Sequence, residues 1–451
     1  MKKYVRVLSA ICVASLLSTS VIGCSNKDSK TGSNTDSSKQ TTTAPSKPVT
    51  MRFSWWGADA RHKATLAAID LYKQKNPNIT IEAEYQGFDG YQQKIMTQLA
   101  GGSAPDLMQT DYPWLVDMAS QKDLLMDLNN QKAIDLTQFN DKVLKEFATQ
   151  KGKLLGLPMG TNGMGMLVNT AFMSKYGIDL KTEFTWDTLI EQGKKIHAQD
   201  SNAYLLGLDI GPGALEPLYY ERYIFSKTGK YWLNDDFTIA ASKADISEAL
   251  ATIKELFDSG TALPLGEAQT FIGKLEQNPK WINGQIGSMI EWSGRVSAIK
   301  EPIKANFGVM KPPMVKGGKE ASVAFKPSML LSVNNASANK DEAVKFVNWF
   351  LNDKDSSSAL TDVRSVPTSE AAKKVLTDSG KLDKDIVSVV DLTIKNPSAA
   401  PTSVVGNAEI VAIVADVAQK MVVNKNTPDK AADEIISRTQ AKLDALKAAK
   451  K

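Results

Sequence analysis

From residue 51 onward the apolar positions follow two rhythms, one with a period of two and one with a period near 3.6. Met51-Arg52-Phe53-Ser54-Trp55-Trp56 reads as a short strand ending at Gly57, and alternation directs one of its two tryptophans to the core face. Leu66, Ile69 and Tyr72 then fall at helical spacing within residues 60–75, and Asn76-Pro77-Asn78 stops that helix. Ile79, Ile81, Ala83 and Tyr85 alternate as a second strand. The helical stripe Tyr91, Ile95 and Leu99 closes at Gly101-Gly102, and Pro105–Asp111 reads as a third strand. Strand-helix-strand-helix-strand predicts a parallel sheet with helices on its faces, an α/β fold. Ligands of such sheets sit beyond the carboxyl ends of the strands. Here those ends are Trp55-Trp56-Gly57, Gln86-Gly87 and Asp111-Tyr112-Pro113-Trp114.

A second block opens near Leu155-Gly156-Leu157-Pro158. It predicts a strand over Met164–Val168, a helix opened by Thr185-Trp186-Asp187 with Thr185 as N-cap, helical stretches over 213–226 and 244–258, and a strand over Ile286–Ile290. Residues 307–320, which contain Pro312-Pro313 and Gly317-Gly318, read as a connection. A strand over Met329–Val333, an amphipathic helix over 341–351 and a last helix over 429–449 follow. Trp186 and Trp349 sit on amphipathic helices and read as core, whereas Trp232 and Trp281 have no evident place. The run Gly160–Gly165 has the wrong spacing for a dinucleotide fingerprint.

The N-terminus has a different pattern. Lys2, Lys3 and Arg6 precede the apolar run Val7–Val21, the shape of a signal peptide over residues 1–23. The run is too short and too rich in Ser for a membrane span. Residues 24–50 hold almost nothing to bury and read as a flexible polar spacer. The leader removes Cys12, leaving no thiol pair, and neither His62 nor His197 neighbours a ligand cluster. No metal, cofactor or Ser-His-Asp chemistry is therefore expected. The leader also carries three basic and no acidic residues, so the formal charge of +4 falls close to neutral. Such a chain lacks the field of a nucleic-acid binder. About 400 residues remain, enough for two or three domains.

Several motifs recur in a familiar order: Phe53-Ser54-Trp55-Trp56-Gly57, Gly101-Gly102-Ser103-Ala104-Pro105-Asp106, Gly156-Leu157-Pro158, Val168-Asn169-Thr170, Thr185-Trp186-Asp187, Asn283-Gly284-Gln285-Ile286-Gly287-Ser288-Met289 and Val366-Pro367-Thr368. Together they resemble the sugar-binding, maltose-binding-protein-like receptors of ABC importers, over nearly the whole mature chain. The resemblance implies a two-lobed, type II periplasmic-binding-protein fold, each lobe a β-sheet flanked by helices, with hinge crossovers and a ligand cleft between the lobes. It assigns 51–159 plus 323–352 to the N-terminal lobe and 160–322 plus 353–451 to the C-terminal lobe. Val21-Ile22-Gly23-Cys24 resembles the lipobox of bacterial lipoproteins, which implies acylation of Cys24 and a membrane anchor on the extracellular face of a bacterium without an outer membrane. A plain signal peptide with a chance Cys is the alternative.

The expected partners are a sugar solute, the transmembrane subunits of an ABC permease and the membrane, with the receptor a monomer. Sugars present apolar ring faces and a rim of hydroxyls, which suit aromatic surfaces and carboxylate, amide or guanidinium groups. Trp55 and Trp56 end the first strand, where either binding or core packing fits. Gln86 is a cleft residue or a solvated loop residue; Asp111, beside Trp114, is a cleft residue or a helix N-cap. By the resemblance, Trp292 stacks on ligand, with buried packing as the alternative, and Glu216 and Tyr219 reach it from a helix. Glu291 and Arg295 reach hydroxyls or pair on the surface, and Asn162 contacts solute or sits in a turn. Arg364 precedes the Val366-Pro367-Thr368 turn and is expected to face the cleft. With Arg295 and Lys326 it leaves room for an acidic sugar or a sugar phosphate. The competing readings are an exported carbohydrate-active enzyme, with Asp111 and Glu291 as paired carboxylates, and a structural lipoprotein or adhesin.

Overall fold

In the computed structural model the described residues are 47–449, without 121–122, 397–400, 403 and 424. The signal peptide, Cys24 and most of the spacer lie outside them. The spacer ends earlier than its pattern suggests, because Val49 and Thr50 pair with Ile79 and Thr80. Strand β1 (Val49–Trp56), helix α1 (Asp59–Lys75), strand β2 (Ile79–Gln86), helix α2 (Tyr91–Ala100), strand β3 (Leu107–Thr110) and helix α3 (Tyr112–Ser120) alternate as expected. Both β2 and β3 run parallel to β1. Met51, Phe53 and Trp55 all point to one buried face, where Phe53 meets the rings of Phe346 and Phe350 at 5.8 and 5.6 Å. Trp56 turns to the other face.

The chain then leaves this sheet through β4 (Leu157–Pro158) and enters β5 (Gly160–Asn169), the centre of a second sheet. Helix α4 (Trp186–Gln199) opens with a capping box in which the Thr185 hydroxyl accepts the Thr188 amide at 3.2 Å. Next come β6 (Tyr204–Gly207), a one-turn helix at Pro212–Ala214, a π-helical stretch at Leu215–Tyr220, and α5 (Glu221–Thr228). Helix α6 (Lys243–Asp258) precedes β7 (Ile286–Trp292) and β8 (Phe307–Met310). The stretch 307–320, read as a connection, thus begins with a strand: β8 pairs antiparallel with β5 from Phe307↔Asn169 to Met310↔Met166. The second sheet has the order β8-β5-β7-β6.

Strand β9 (Phe325–Pro327) pairs with Thr161–Gly163, and β10 (Leu330–Val333) returns to the first sheet between β3 and β4. Helix α7 (Lys340–Asn352) covers that sheet with Phe346 and Phe350. Helix α8 (Lys354–Leu360) packs on α1. Strand β11 (Val366–Pro367) crosses back onto β5 at Thr161 and Gly160. Helices α9 (Glu370–Asp378), α10 (Lys384–Lys395), α11 (Ala408–Val422) and α12 (Pro428–Ala449) complete the chain, with α10 against β5 and α12 against α6 and α11. Trp232 and Trp281, unplaced by pattern, are fully buried. Their indole N–H groups donate to Glu216 Oε1 and to the Ile299 carbonyl.

Gly160 marks the tightest crossing. A Cβ there would lie 2.1 Å from the Arg364 carbonyl oxygen and 2.8 Å from Ser328 Oγ. Gly160→Ala is therefore expected to lower the unfolding free energy by at least about 1–3 kcal/mol, the cost of overpacking. Gly266→Ala, where a Cβ meets nothing within 4 Å, should leave it unchanged or raise it by up to about 1 kcal/mol. Urea titration of both variants checks the contrast, and an unaffected Gly160→Ala would contradict the packing.

Candidate functional site

The strand ends of the first sheet build one wall of a cavity of about 280 Å³, near the low end of the usual small-ligand range of roughly 300–1,000 Å³. Trp56 closes β1 with its ring 5.1 Å from Trp114 and 5.2 Å from Tyr91. Phe88, on the loop after β2, leans on both tryptophans at 5.6 and 5.9 Å. Trp56 and Trp114 show only an edge, whereas Phe88 is 36% exposed. Asp111 sits at the end of β3, accepting the Tyr112 amide at 2.9 Å and Lys326 Nζ at 2.5 Å. It is thereby an ion-pair partner for β9.

The second wall comes from β5, β7 and the segments after β6. Asn162 Oδ1 accepts the Ser293 hydroxyl and the Gly294 amide at 3.0 and 2.9 Å, so it shapes the turn that presents Trp292 and Arg295. Lys326 Nζ lies 5.2 Å from the centre of the half-buried Trp292 ring. Arg295 donates to Glu276 at 2.8 Å and to the Gly273 carbonyl at 3.3 Å, with Glu291 at 3.9 Å. Glu291 and Arg295 are thus not a surface pair, since Glu291 is buried. Burial outweighs the pull of Arg295 and pushes Glu291 up to about 7. Asp209 accepts the amides of Gly211 and Gly273, both at 2.8 Å, yet burial still raises it. Glu216 accepts the Trp232 indole N–H at 2.7 Å, and burial, then Glu221, hold it well above the usual carboxylate range.

Between the walls the loop Phe88-Asp89 of the first lobe meets three glycines of the second. A Cβ on Gly213 would touch the Phe88 ring at 2.7 Å, and one on Gly273 would lie 3.0 Å from Asp89 Oδ2. One on Gly211 would approach the same oxygen at 3.4 Å. Burial raises Asp89, opposed by Arg295 and by an amide hydrogen bond from Gly213. Arg61, from the first turn of α1, donates to the carbonyls of Trp56, Val363 and Gly294 at 3.2, 3.1 and 2.9 Å. One guanidinium thereby ties both lobes to the last crossing.

Residues 58–356 match the family model of bacterial extracellular solute-binding proteins. The chain belongs to that family. It is a solute-binding protein of the ABC-transporter type, with the two-lobed fold that the resemblance implied. A periplasmic solute-binding protein of Pectobacterium atrosepticum superposes with a TM-score of 0.79 at 29% identity, covering 88% of this chain and 99% of that one. An oligogalacturonide-binding protein of Yersinia enterocolitica, solved with saturated digalacturonic acid, gives 0.81 at 26% identity, with the same coverage. By sequence, the sn-glycerol-3-phosphate-binding periplasmic protein of Escherichia coli O1:K1 is 22% identical over 386 residues, 81% of this chain and 86% of that one. No described helix of this solute-binding protein is long and apolar enough to cross a membrane.

Of the residues predicted from sequence, the cavity gathers Trp56, Asp111, Trp114, Asn162, Glu216, Glu291, Trp292 and Arg295. Four others lie outside its lining. Trp55 is fully buried beneath Tyr85, its indole N–H donating to His62 Nδ1 at 3.1 Å. Tyr219 is core, its hydroxyl 3.3 Å from the Gly207 carbonyl, because the π-helical stretch turns it inward. Arg364 is buried behind the crossing, bonded to Gln109 Oε1 and Thr65 Oγ1. Gln86 ends β2 opposite Trp56 and stays outside the lining. The residues missed were Arg61, Phe88, Asp89 and Asp209. Phe88-Asp89 stands between Gly87 and Gly90, directly after a strand end, which is a usable signal.

Glu291 gives the solute-binding protein a pH signature. Its carboxyl is raised on folding, so the folded state binds the proton more tightly than the unfolded chain. Its stabilising contribution is complete at pH below about 4.5 and is lost as pH rises through about 7. Urea titrations should show Glu291→Gln escaping a loss on the order of 3 kcal/mol over that window. Parallel pH profiles for the variant and the parent would contradict the buried carboxyl.

Proposed function

We propose that this protein captures a sugar, a mono- or oligosaccharide, by hinge closure and hands it to the transmembrane subunits of an ABC permease. The observation that carries the reading is the two-sided lining of the cavity. Trp56, Phe88 and Trp114 stand on one wall and Trp292 on the other, with carboxylate, amide and guanidinium groups between them. Aromatic faces match apolar sugar rings, and the polar groups match a rim of hydroxyls. The Yersinia relative, of the same fold, carries a sugar in its solved structure. Trp56, Asp111, Trp114, Asn162, Glu216, Glu291, Trp292 and Arg295 are the proposed contacts. Solute bridging the walls favours the closed state by the contacts it gains there.

The first lobe in this reading takes residues 49–159 with β10, α7 and α8, and the second takes most of the remainder. Residues 1–23 act as the exported leader, and acylated Cys24 anchors a monomer to the extracellular face of the cell membrane. The spacer keeps the receptor's effective concentration near its permease high. The protein binds its solute and releases it unaltered.

Calorimetry against a panel of neutral and acidic mono- and oligosaccharides tests this reading. At least one sugar should bind, and Trp292→Ala should weaken it by roughly tenfold or more, the effect of losing about 1.4 kcal/mol. A bound sugar at 100 times its Kd should also stabilise the fold by about 2.7 kcal/mol. Turnover of the sugar would overturn the receptor reading, and unchanged affinity in Trp292→Ala would remove that residue from the site.

A further inference from the structure

The cations of this region are not all balanced. Lys326 pairs with Asp111, Arg295 with Glu276 and Glu291, and Arg222 with Glu221. Arg61 and Arg364 are also buried, 7% and 5% exposed, and among the described residues neither forms an ion pair with a carboxylate. Arg61 lines the cavity. Its three hydrogen bonds all go to backbone carbonyls. A guanidinium has five N–H donors, so two remain. Arg364 sits behind it with Nη1 unpartnered.

A buried cation without an acid partner is costly, and such groups are ordinarily paired. The electrostatics agree: burial, then the charge of Arg295, pushes Arg61 down to about 9, with no carboxylate pulling it back up. It still carries its charge at neutral pH. Burial, then Arg61, lowers Arg364 as well. The carboxyls that line the cavity are engaged elsewhere, by Lys326, Arg295 or Arg222, by the amides of Gly211, Gly213 and Gly273, or by the Trp232 indole.

We infer that the solute carries an anionic group, a carboxylate or a phosphate, and that Arg61 is the residue that selects it. This deepens the saccharide reading above and rests on it. An anion beside Arg61 gains charge-assisted hydrogen bonds from the free N–H groups and supplies the counter-charge that the protein omits. Because Arg61 also donates to Gly294 of the second lobe and to Val363 of the last crossing, the anion would be held where the lobes meet. Neutral sugar would leave that charge uncompensated.

The test compares, by calorimetry on the intact protein, a uronic acid, a sugar monophosphate and the neutral sugar of the same ring. The acid or the phosphate should bind at least about tenfold tighter than the neutral parent, the effect of one charge-assisted hydrogen bond. Which of the two prevails separates carboxylate from phosphate. Arg61→Gln should abolish the preference, bringing the ratio of charged to neutral affinity down to about one whatever it does to the absolute affinities. Arg61→Lys, which keeps the charge but loses the fork, should retain part of it. If loss of the backbone ties unfolds these variants, the comparison on the unsubstituted protein still decides. Equal or tighter binding of the neutral sugar overturns this inference and leaves the saccharide reading intact. Failure of every sugar, neutral or charged, overturns both.

Discussion

The structure depends on one stretch of backbone, Gly160–Gly163, where the chain's passages between its two sheets hydrogen-bond to each other. Strand β9 pairs with Thr161–Gly163 and β11 with Gly160 and Thr161, while β10 pairs with Leu157–Pro158 just upstream. Three separate segments are thus fastened within a few residues. Such a junction fixes the axis of relative motion without fixing the angle, because strand pairing resists separation far more than twisting. Gly160 has no Cβ because the Arg364 carbonyl occupies that space. The return passage is strained as well: Thr361 and Ser365 have φ of 51° and 73°, rarely adopted by residues other than glycine. Ser365 is held there by its hydroxyl contact with Ser293 at 2.7 Å and by its amide bond to Asp362. Ser293 also serves Asn162 and Gly163, so the hinge and the turn carrying Trp292 share one polar network.

What the amino-acid pattern reveals, and what it hides, follows from the range of each interaction. Alternation over Met51–Trp56 is local, and it suffices to say that one tryptophan enters the core and the other faces outward. Which of them lines the cavity depends on Phe346 and Phe350, some 290 residues away, which take the face bearing Phe53 and Trp55. Thr185 as an N-cap was legible for the same reason of locality. Strand β8 was not, because Phe307–Met310 is short, pairs only with β5 and precedes two prolines. The π-helical stretch at Leu215–Tyr220 shifts its side chains off a 3.6-residue register, so Glu216 reaches the cavity while Tyr219 faces the core. Arg61 looks like an ordinary surface residue of an exposed helix start until three remote carbonyls are brought to it.

The cleft is rich in acids yet selective about where they act. Asp209, Glu216 and Glu291 all have raised pKa values with burial as the leading cause. In the proposed sugar site they would accept hydrogen bonds from hydroxyls, and a partly protonated Glu291 could also donate one. Arg295 sits among Glu276, Glu291 and Asp209 and is therefore raised rather than lowered. Its charge is spent on organising the second wall. Arg61 and Arg295 thus look alike in sequence but differ in kind, one balanced and the other not.

Closure must join these walls without a large apolar interface, and the loop Phe88-Asp89 supplies the means. Its ring and carboxylate enter a socket made of Gly211, Gly213 and Gly273, where a Cβ on Gly213 would collide with the ring and one on Gly273 would crowd the carboxylate. The ring covers the edges of Trp56 and Trp114 on its own lobe. The carboxylate accepts an amide from the other lobe and lies in the field of Arg295. Such a contact is small and polar enough to be reversible, which a receptor that must release its cargo requires. A larger apolar seal would stabilise the closed form with or without solute and so weaken the solute's control over closure. The glycines keep the socket shallow, so most of the closing free energy must come from whatever fills the cavity.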